Sequence, residues 1–329
     1  MRRLFFVIAF FVFFLPAQVF AGGPGFVTVV NPIRGEEFWD LKDERPKDAV
    51  LGQSKILQEL KIPATWLIRF DALADREVVS AVPALDEKGV LLEITPRLAE
   101  AAKVSYRKSE AWHLPGSVFL TGYEVGDREK LIDTAFDRFK GVYGSYPKSV
   151  GGWWIDSYSL GYMQKKYGII SSLIVADQYN TDNYQIWGQY WGTPYYPSKV
   201  STLRPAQTLD EKLPVVVTQW AARDPVNGYG KYIENSTYSV QVNDYADYHL
   251  LTEHYFARLI DTYTRQDLNQ FGQVVVGLEN SYSFGKYKDG YEKQMKVLVG
   301  KRASGQLSLV TMEKFARWYA DKFTGVSPE

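Results

Sequence analysis

The sequence predicts an α/β fold, a (β/α) barrel of seven or eight strands, regular or distorted. Three observations point to it. Short β-branched apolar runs alternate with amphipathic stretches from Phe26 onward, about eight such runs recur, and no G-x-G-x-x-G turn follows the first of them. In chain order, Phe26 to Val30 reads as the first strand, and Val50 to Leu60 repeats its apolar residues at three and four and reads as a helix. Ala64 to Phe70, Val90 to Ile94 and Val118 to Thr121 are further strand candidates, followed by a helix over Arg128 to Tyr143. Ser149 to Ile155, Ser172 to Ala176 and Val215 to Trp220 continue the strands, one helix is expected over Tyr245 to Tyr263, and Val274 to Leu278 follows. A short strand, Leu307 to Thr311, and a helix, Met312 to Phe323, close the series.

Composition narrows the function classes. The chain has 329 residues, 46% hydrophobic and 15% aromatic, with 38 basic and 38 acidic side chains and no cysteine. That content excludes a disordered chain and a disulfide scaffold, and the balanced charge gives no basic stripe for nucleic acid. Met1-Arg2-Arg3, the apolar run Leu4 to Leu15 and Val19-Phe20-Ala21 have the order of a secretory signal, with cleavage expected after Ala21. The apolar run falls short of the roughly 20 residues that span a bilayer, so no stable membrane insertion is expected. Residues 1–21 are therefore expected to be a signal peptide and residues 22–329 one barrel domain, periplasmic or secreted by a bacterium.

One connection is unusual. No helix is evident between Asp177 and Leu213, and a long irregular segment is commonly a functional loop. Within this aromatic-rich loop, at about 178–212, Tyr179, Tyr184, Trp187, Tyr190, Trp191, Tyr195 and Tyr196 crowd together. Flat rings stack on sugar rings while their polar tips take hydrogen bonds, so the loop reads either as a carbohydrate platform over the barrel mouth or as a segment packing its own aromatics. Trp39, Trp66, Trp153, Trp154 and Trp220 are further candidates for contact with a polysaccharide or oligosaccharide.

A parallel barrel builds its active site at the carboxyl ends of its strands, so acids ending apolar runs are the candidates for chemistry. These are Asp71, Glu93, Asp156, Asp177, Asp224 and Glu279. An unpaired carboxylate is costly to bury, which makes recurrence at one end of the sheet suggestive, although aspartate also caps helices. Glu93, Asp156, Asp177, Asp224 and Glu279 are the expected catalytic carboxylates, since glycoside hydrolysis needs two across a sugar-sized cleft. Glu93 and Asp156 are expected at the centre, in surroundings that raise a carboxyl pKa. His113, His249 and His254 form no metal-binding spacing, and no serine elbow or P-loop occurs, so neither a metal nor a cofactor is expected.

Two segments carry a family resemblance. Ile56 to Trp66, with Ile62-Pro63-Ala64-Thr65, resembles the helix-to-strand step of polysaccharide deacetylases, and Phe139 to Trp153, with Tyr143-Gly144-Ser145-Tyr146-Pro147, is similar to a later segment of that superfamily. The resemblance is to the superfamily uniting polysaccharide deacetylases with a group of glycoside hydrolases, and it implies a distorted barrel of about seven strands. The departures are specific. The T-F-D-D-G turn of the deacetylases is replaced by Val29-Val30-Asn31-Pro32-Ile33-Arg34-Gly35, and their H-x-x-x-H metal pair by Leu92 to Leu98. Trp153-Trp154-Ile155-Asp156 resembles the W-x-x-E motif of the barrel's retaining glycosidases, with aspartate for glutamate. The resemblance thus implies a metal-independent glycoside hydrolase-like protein, or alternatively a deacetylase-like barrel that binds carbohydrate without catalysis.

Overall fold

The computed structural model describes residues 24–174, 193–224, 226–227, 238–265 and 270–327. The strands are β1 (Gly25–Ile33), β2 (Ala64–Arg69), β3 (Glu87–Leu91), β4 (Ser149–Gly151), β5 (Ser171–Ile174), β6 (Val216–Gln219), β7 (Gly272–Val276) and β8 (Ser308–Val310). All pair in parallel in the order β6-β5-β4-β3-β2-β1-β7, and the sheet curls into a nearly closed barrel with one seam, between β6 and β7. β8 pairs with the first half of β1, Phe26 to Thr28, and β2 takes the second half from Val29 on. The (β/α) barrel expected from the sequence is the observed architecture.

Among the described residues the helices are α1 (Pro46–Glu59), α2 (Arg76–Ala81), α3 (Pro96–Ala101), α4 (Pro115–Val118), α5 (Val125–Tyr143), α6 (Ser157–Tyr167), α7 (Val242–His249), α8 (Glu253–Tyr263), α9 (Phe284–Ala303) and α10 (Met312–Lys322). The helix α1 shows why such a segment folds as it does. Pro46 sits at its first turn, where no amide partner is lost, and Ala49, Val50, Gln53, Ile56 and Leu57 make one buried stripe. Burying Val50, Ile56 and Leu57 contributes about 1.5–3 kcal/mol apiece. None of these described helices is long and apolar enough to cross a membrane.

Two expected elements differ. Val118 to Thr121 is no strand: it is the end of α4 and a 3-10 turn, although Val118, Phe119 and Leu120 are buried and the Val118 carbonyl accepts from Ile94 N (2.9 Å). Its apolar run reported burial, which by itself does not select a conformation. The single helix expected over Tyr245 to Tyr263 is two, α7 and α8, because Leu250 adopts φ +52° and Thr252 then caps α8 by accepting from His254 N. No glycine or proline marks that break.

Strand register identifies the inward side chains. Arg69, Leu91, Gly151, Leu173 and Thr218 are register partners across β2 to β6. The Leu67 side chain, two residues before Arg69, lies against both Gly89 and Gly151, so this parity points into the barrel. At the amino-terminal end Glu87 accepts hydrogen bonds from Thr65 Oγ1 (2.8 Å), Ser149 Oγ and the Glu313 amide of α10 (2.9 Å). Gly277 is required where β7 runs out beside β1, since a Cβ there would stand 1.7 Å from the Val30 carbonyl oxygen.

Candidate functional site

The inward parity continues past the last ladder row and sets the mouth. Two positions beyond Leu91 and Gly151 come Glu93 and Trp153, two beyond Thr218 comes Trp220, and Arg69 ends β2 itself. Arg34 follows β1, and Glu279 follows β7. These side chains form one network. Arg34 donates from Nε and Nη2 to Glu93 (2.9 and 2.6 Å) and from Nη1 to Glu279 and to Ser281 Oγ (2.7 Å). Arg69 donates to Glu93 Oε2 (3.0 Å), to both oxygens of Asp71 (2.7 and 2.9 Å) and to the Glu37 carbonyl (2.6 Å). The indole of Trp153 donates to Glu93 Oε1 (2.6 Å).

Backbone geometry holds the network in place. The Arg34 amide donates to Asn280 Oδ1 (2.8 Å), and Asn280 Nδ2 donates back to the Arg34 carbonyl (2.9 Å) and to that of Pro46 (3.1 Å), which locks the loops after β1 and β7 together. Gly35 brings its loop so close to Asp71 that a Cβ would lie 2.6 Å from Oδ2. Trp153 is held at φ +48°, a left-handed conformation that a bulky residue rarely adopts.

The electrostatics follow from this geometry. Burial alone would push the Glu93 carboxyl up, but the charge and hydrogen bonds of Arg34, the charge of Arg69 and the Trp153 indole outweigh it and hold Glu93 at about 2. Asp71 is likewise lowered: burial opposes ionisation, and the Arg69 guanidinium with the Glu37 and Gly35 amides overcomes it. Arg69 is fully buried, which disfavours its charge, yet Asp71 and Glu93 raise its pKa. The raised carboxyl pKa expected at Glu93 is therefore reversed, because two arginines stand between the converging acids.

The other candidates divide as follows. Glu93 and Glu279 are brought together through Arg34. Asp156 instead caps α6, accepting from Ser159 N (3.0 Å) and Ser159 Oγ (2.7 Å), and pairs with Arg128 at 3.3 Å. Asp224 organises the turn after β6, accepting from the Val226 and Asn227 amides (2.8 and 2.9 Å) and from Asn227 Nδ2 (2.8 Å); burial opposes its ionisation, but these donors lower its pKa. Asp177, Tyr179, Trp187 and Trp191 lie outside the described residues.

Several aromatic candidates prove to be wall and core. Trp66 is fully buried with its indole donating to Asp86 (2.9 Å), and Trp220 is fully buried inside the barrel, edge-on to Trp153 at 6.0 Å. Tyr195 is fully buried, donating to the Thr202 carbonyl (2.7 Å), and Tyr196 packs with Phe26, Phe271, Phe315 and Tyr319 at the amino-terminal end. The described end of the aromatic loop is thus built into the barrel and gives these rings no face for a ligand. Trp154 is half-buried against Ile174 and Tyr195, and Trp39 is half-buried with its indole on the Glu44 carbonyl (2.8 Å).

Sequence reasoning missed Arg34, Arg69, Phe38 and Trp112. Trp112 lies beside the cations, 5.4 Å from the Arg34 guanidinium carbon and 6.0 Å from that of Arg69, while Trp153 stands 5.7 Å from Arg34 on its own account. Arg69 had a legible signal, since it shares the parity of Thr65 and Leu67 in an apolar strand. Trp112, in an irregular stretch, had none.

A divalent cation, which the deacetylase resemblance would imply, does not fit this mouth. Glu93 and Glu279 already share one guanidinium, Glu93 also takes a second, and among the described residues no group of three or more His, Cys, Asp or Glu could hold a metal ion.

A family model for a domain of unknown function, DUF3863, matches residues 123–325. No curated protein matches the chain. Among solved structures, a candidate glycoside hydrolase/deacetylase from Parabacteroides distasonis is similar with a TM-score of 0.64 at 20% identity, covering 92% of this chain and 73% of that one. A candidate polysaccharide deacetylase from Mycobacterium smegmatis gives 0.55 at 13% identity over 94% of each chain, and the Puue allantoinase 0.53 at 11% over 90% of each. These likenesses show a shared barrel fold, as the sequence resemblance implied, and the allantoinase shows that the fold does not fix the substrate.

Proposed function

With the chain belonging to the DUF3863 family as premise, we propose that it is an exported carbohydrate-acting protein, a glycoside hydrolase-like barrel that works without a metal through Glu93 and Glu279. One observation carries this reading: Arg34, Arg69, Asp71, Glu93 and Glu279, five charged side chains, are gathered almost out of water at the carboxyl ends of adjacent strands. Buried ion pairs of this kind add little stability over apolar packing, so their concentration at the functional end of a barrel points to use. The similarity to candidate carbohydrate-active barrels supports the substrate class.

The roles follow from the electrostatics. Glu93, held ionised by Arg34, Arg69 and Trp153, supplies fixed negative charge beside positive charge developing on a sugar ring, and Glu279, held by Arg34, is the second carboxylate that the hydrolytic reading requires. A second reading, carbohydrate binding without catalysis, is favoured by the saturation of Glu93, whose oxygens accept from Arg34, Arg69 and Trp153 together. The test is product release from neutral and acidic polysaccharides, read by chromatography, for the wild type and for Glu93→Gln and Glu279→Gln, each with and without a chelator. The hydrolase reading expects wild-type turnover unaffected by chelation and a loss of at least about two orders of magnitude in each variant. Binding with no turnover supports the second reading, and turnover restored only by a divalent ion refutes metal independence.

A further inference from the structure

The loop after β1 presents an aromatic surface beside the charged network. Phe38 is 37% exposed and adopts φ +61°. A non-glycine residue in that left-handed region costs free energy, and such strain persists where the surroundings impose it, commonly at ligand sites. Its ring lies parallel to that of Trp112, with centroids 5.2 Å apart and planes 6° apart. Stacking on Trp112 takes up one face of the Phe38 ring. Trp112 in turn stands beside Arg34 and Arg69, and the Glu37 carbonyl, one residue before Phe38, accepts from Arg69. Phe38 is therefore fixed to the rim of the mouth.

We infer that the stacked Phe38 and Trp112 rings form a sugar-stacking subsite that positions one pyranose ring of a chain at the mouth. This inference rests on the carbohydrate reading above and deepens it. The occupant follows from the neighbours. A ligand on Phe38 must present a flat apolar face to the ring and hydroxyls at its edge, and must continue as a chain whose next unit can reach the charged groups beside Trp112, which a pyranose of an oligosaccharide does and a purely apolar molecule does not. The strained backbone at Phe38 holds the ring ready, so little ordering is required on binding.

The experiment is isothermal titration with cellohexaose, xylohexaose, mannohexaose and hexa-N-acetylchitohexaose as probes, alongside thermal unfolding, for the wild type, Phe38→Ala, Phe38→Gly and Phe38→Tyr. The expected result is that a probe binds the wild type, that Phe38→Ala and Phe38→Gly weaken it about tenfold or more, and that Phe38→Tyr retains it. Phe38→Gly should melt no lower than Phe38→Ala, since both remove the ring and only glycine relieves the left-handed backbone, so weakened binding shared by the two is lost with the ring and not with the fold. Undiminished binding by Phe38→Gly would overturn the subsite and leave the carbohydrate reading standing. No probe binding to the wild type would overturn both.

Discussion

Replacing Glu93 by glutamine removes one buried negative charge and nothing else of its size. Two routes give the cost. The fold draws the Glu93 carboxyl from the ordinary 4.5 to about 2, which by linkage corresponds to about 3 kcal/mol of stability at neutral pH. Breaking a buried ion pair by removing one partner costs about 3–5 kcal/mol. Asp71 stays on Arg69 and Glu279 stays on Arg34, so the lower end is expected, and the glutamine amide would additionally set a donor against guanidinium donors. For a chain of this length about 3 kcal/mol lowers the melting temperature by roughly 4–5 °C. The sign in pH is fixed by the lowered value: the stabilisation is fully present above 4.5 and is lost as pH falls through about 2. Thermal unfolding by circular dichroism at pH 7 and pH 3 should therefore show the gap between wild type and Glu93→Gln shrinking to less than half. A gap that is small at pH 7, or that stays constant between the two conditions, would refute a Glu93 buried and ionised between Arg34 and Arg69.

Other outcomes follow from single residues. Asp156→Ala should cost about 1 kcal/mol by chemical denaturation through loss of the α6 cap while leaving oligosaccharide binding unchanged, and a large loss of binding would return Asp156 to the site. Gly277→Ala should give little soluble, cooperatively folding protein, since the Val30 carbonyl is backbone and cannot yield to a Cβ at 1.7 Å; normal expression and melting would contradict that close approach. Glu87, raised by burial despite the Glu313, Ser149 and Thr65 donors, favours its protonated form in the fold, so its linked stability is greatest below 4.5 and declines as pH rises through the folded-state value. Glu87→Gln should accordingly gain on the wild type between pH 4 and pH 8 in the same melting assay, and a relative loss with rising pH would contradict the assignment.

The barrel was legible because several strands lie within apolar runs such as Phe26 to Val30, Ala64 to Phe70 and Val274 to Leu278, and parallel strands buried on both faces read as continuous apolar segments. Val118 to Thr121 carries the same signal and is turns, since burial of Val118, Phe119 and Leu120 is all that its apolar run required. The break between α7 and α8 left no mark because Leu250 enters the left-handed region without a glycine. At the mouth, Glu93 and Glu279 could be found as acids ending apolar runs. Arg34 and Arg69 could not be found that way, and they decide the chemistry: they convert a cluster of acids that should raise one another's pKa into a charge-paired network. Phe38 and Trp112 meet across 74 positions of sequence, and only the tertiary fold stacks them.

The proposed function stands or falls on carbohydrate being held at the carboxyl end of the barrel, at Arg34, Glu93 and Glu279. The most direct measurement is a crystal structure of the Glu93→Gln protein soaked with the hexasaccharide that binds best. A sugar ring on Phe38, with a neighbouring ring hydroxyl within hydrogen-bond distance of Arg34, Glu279 or Ser281, is the predicted result. A saccharide bound instead at the amino-terminal end, near Phe26 and Tyr196, or on the outer helices, with the mouth left to water, would contradict the account.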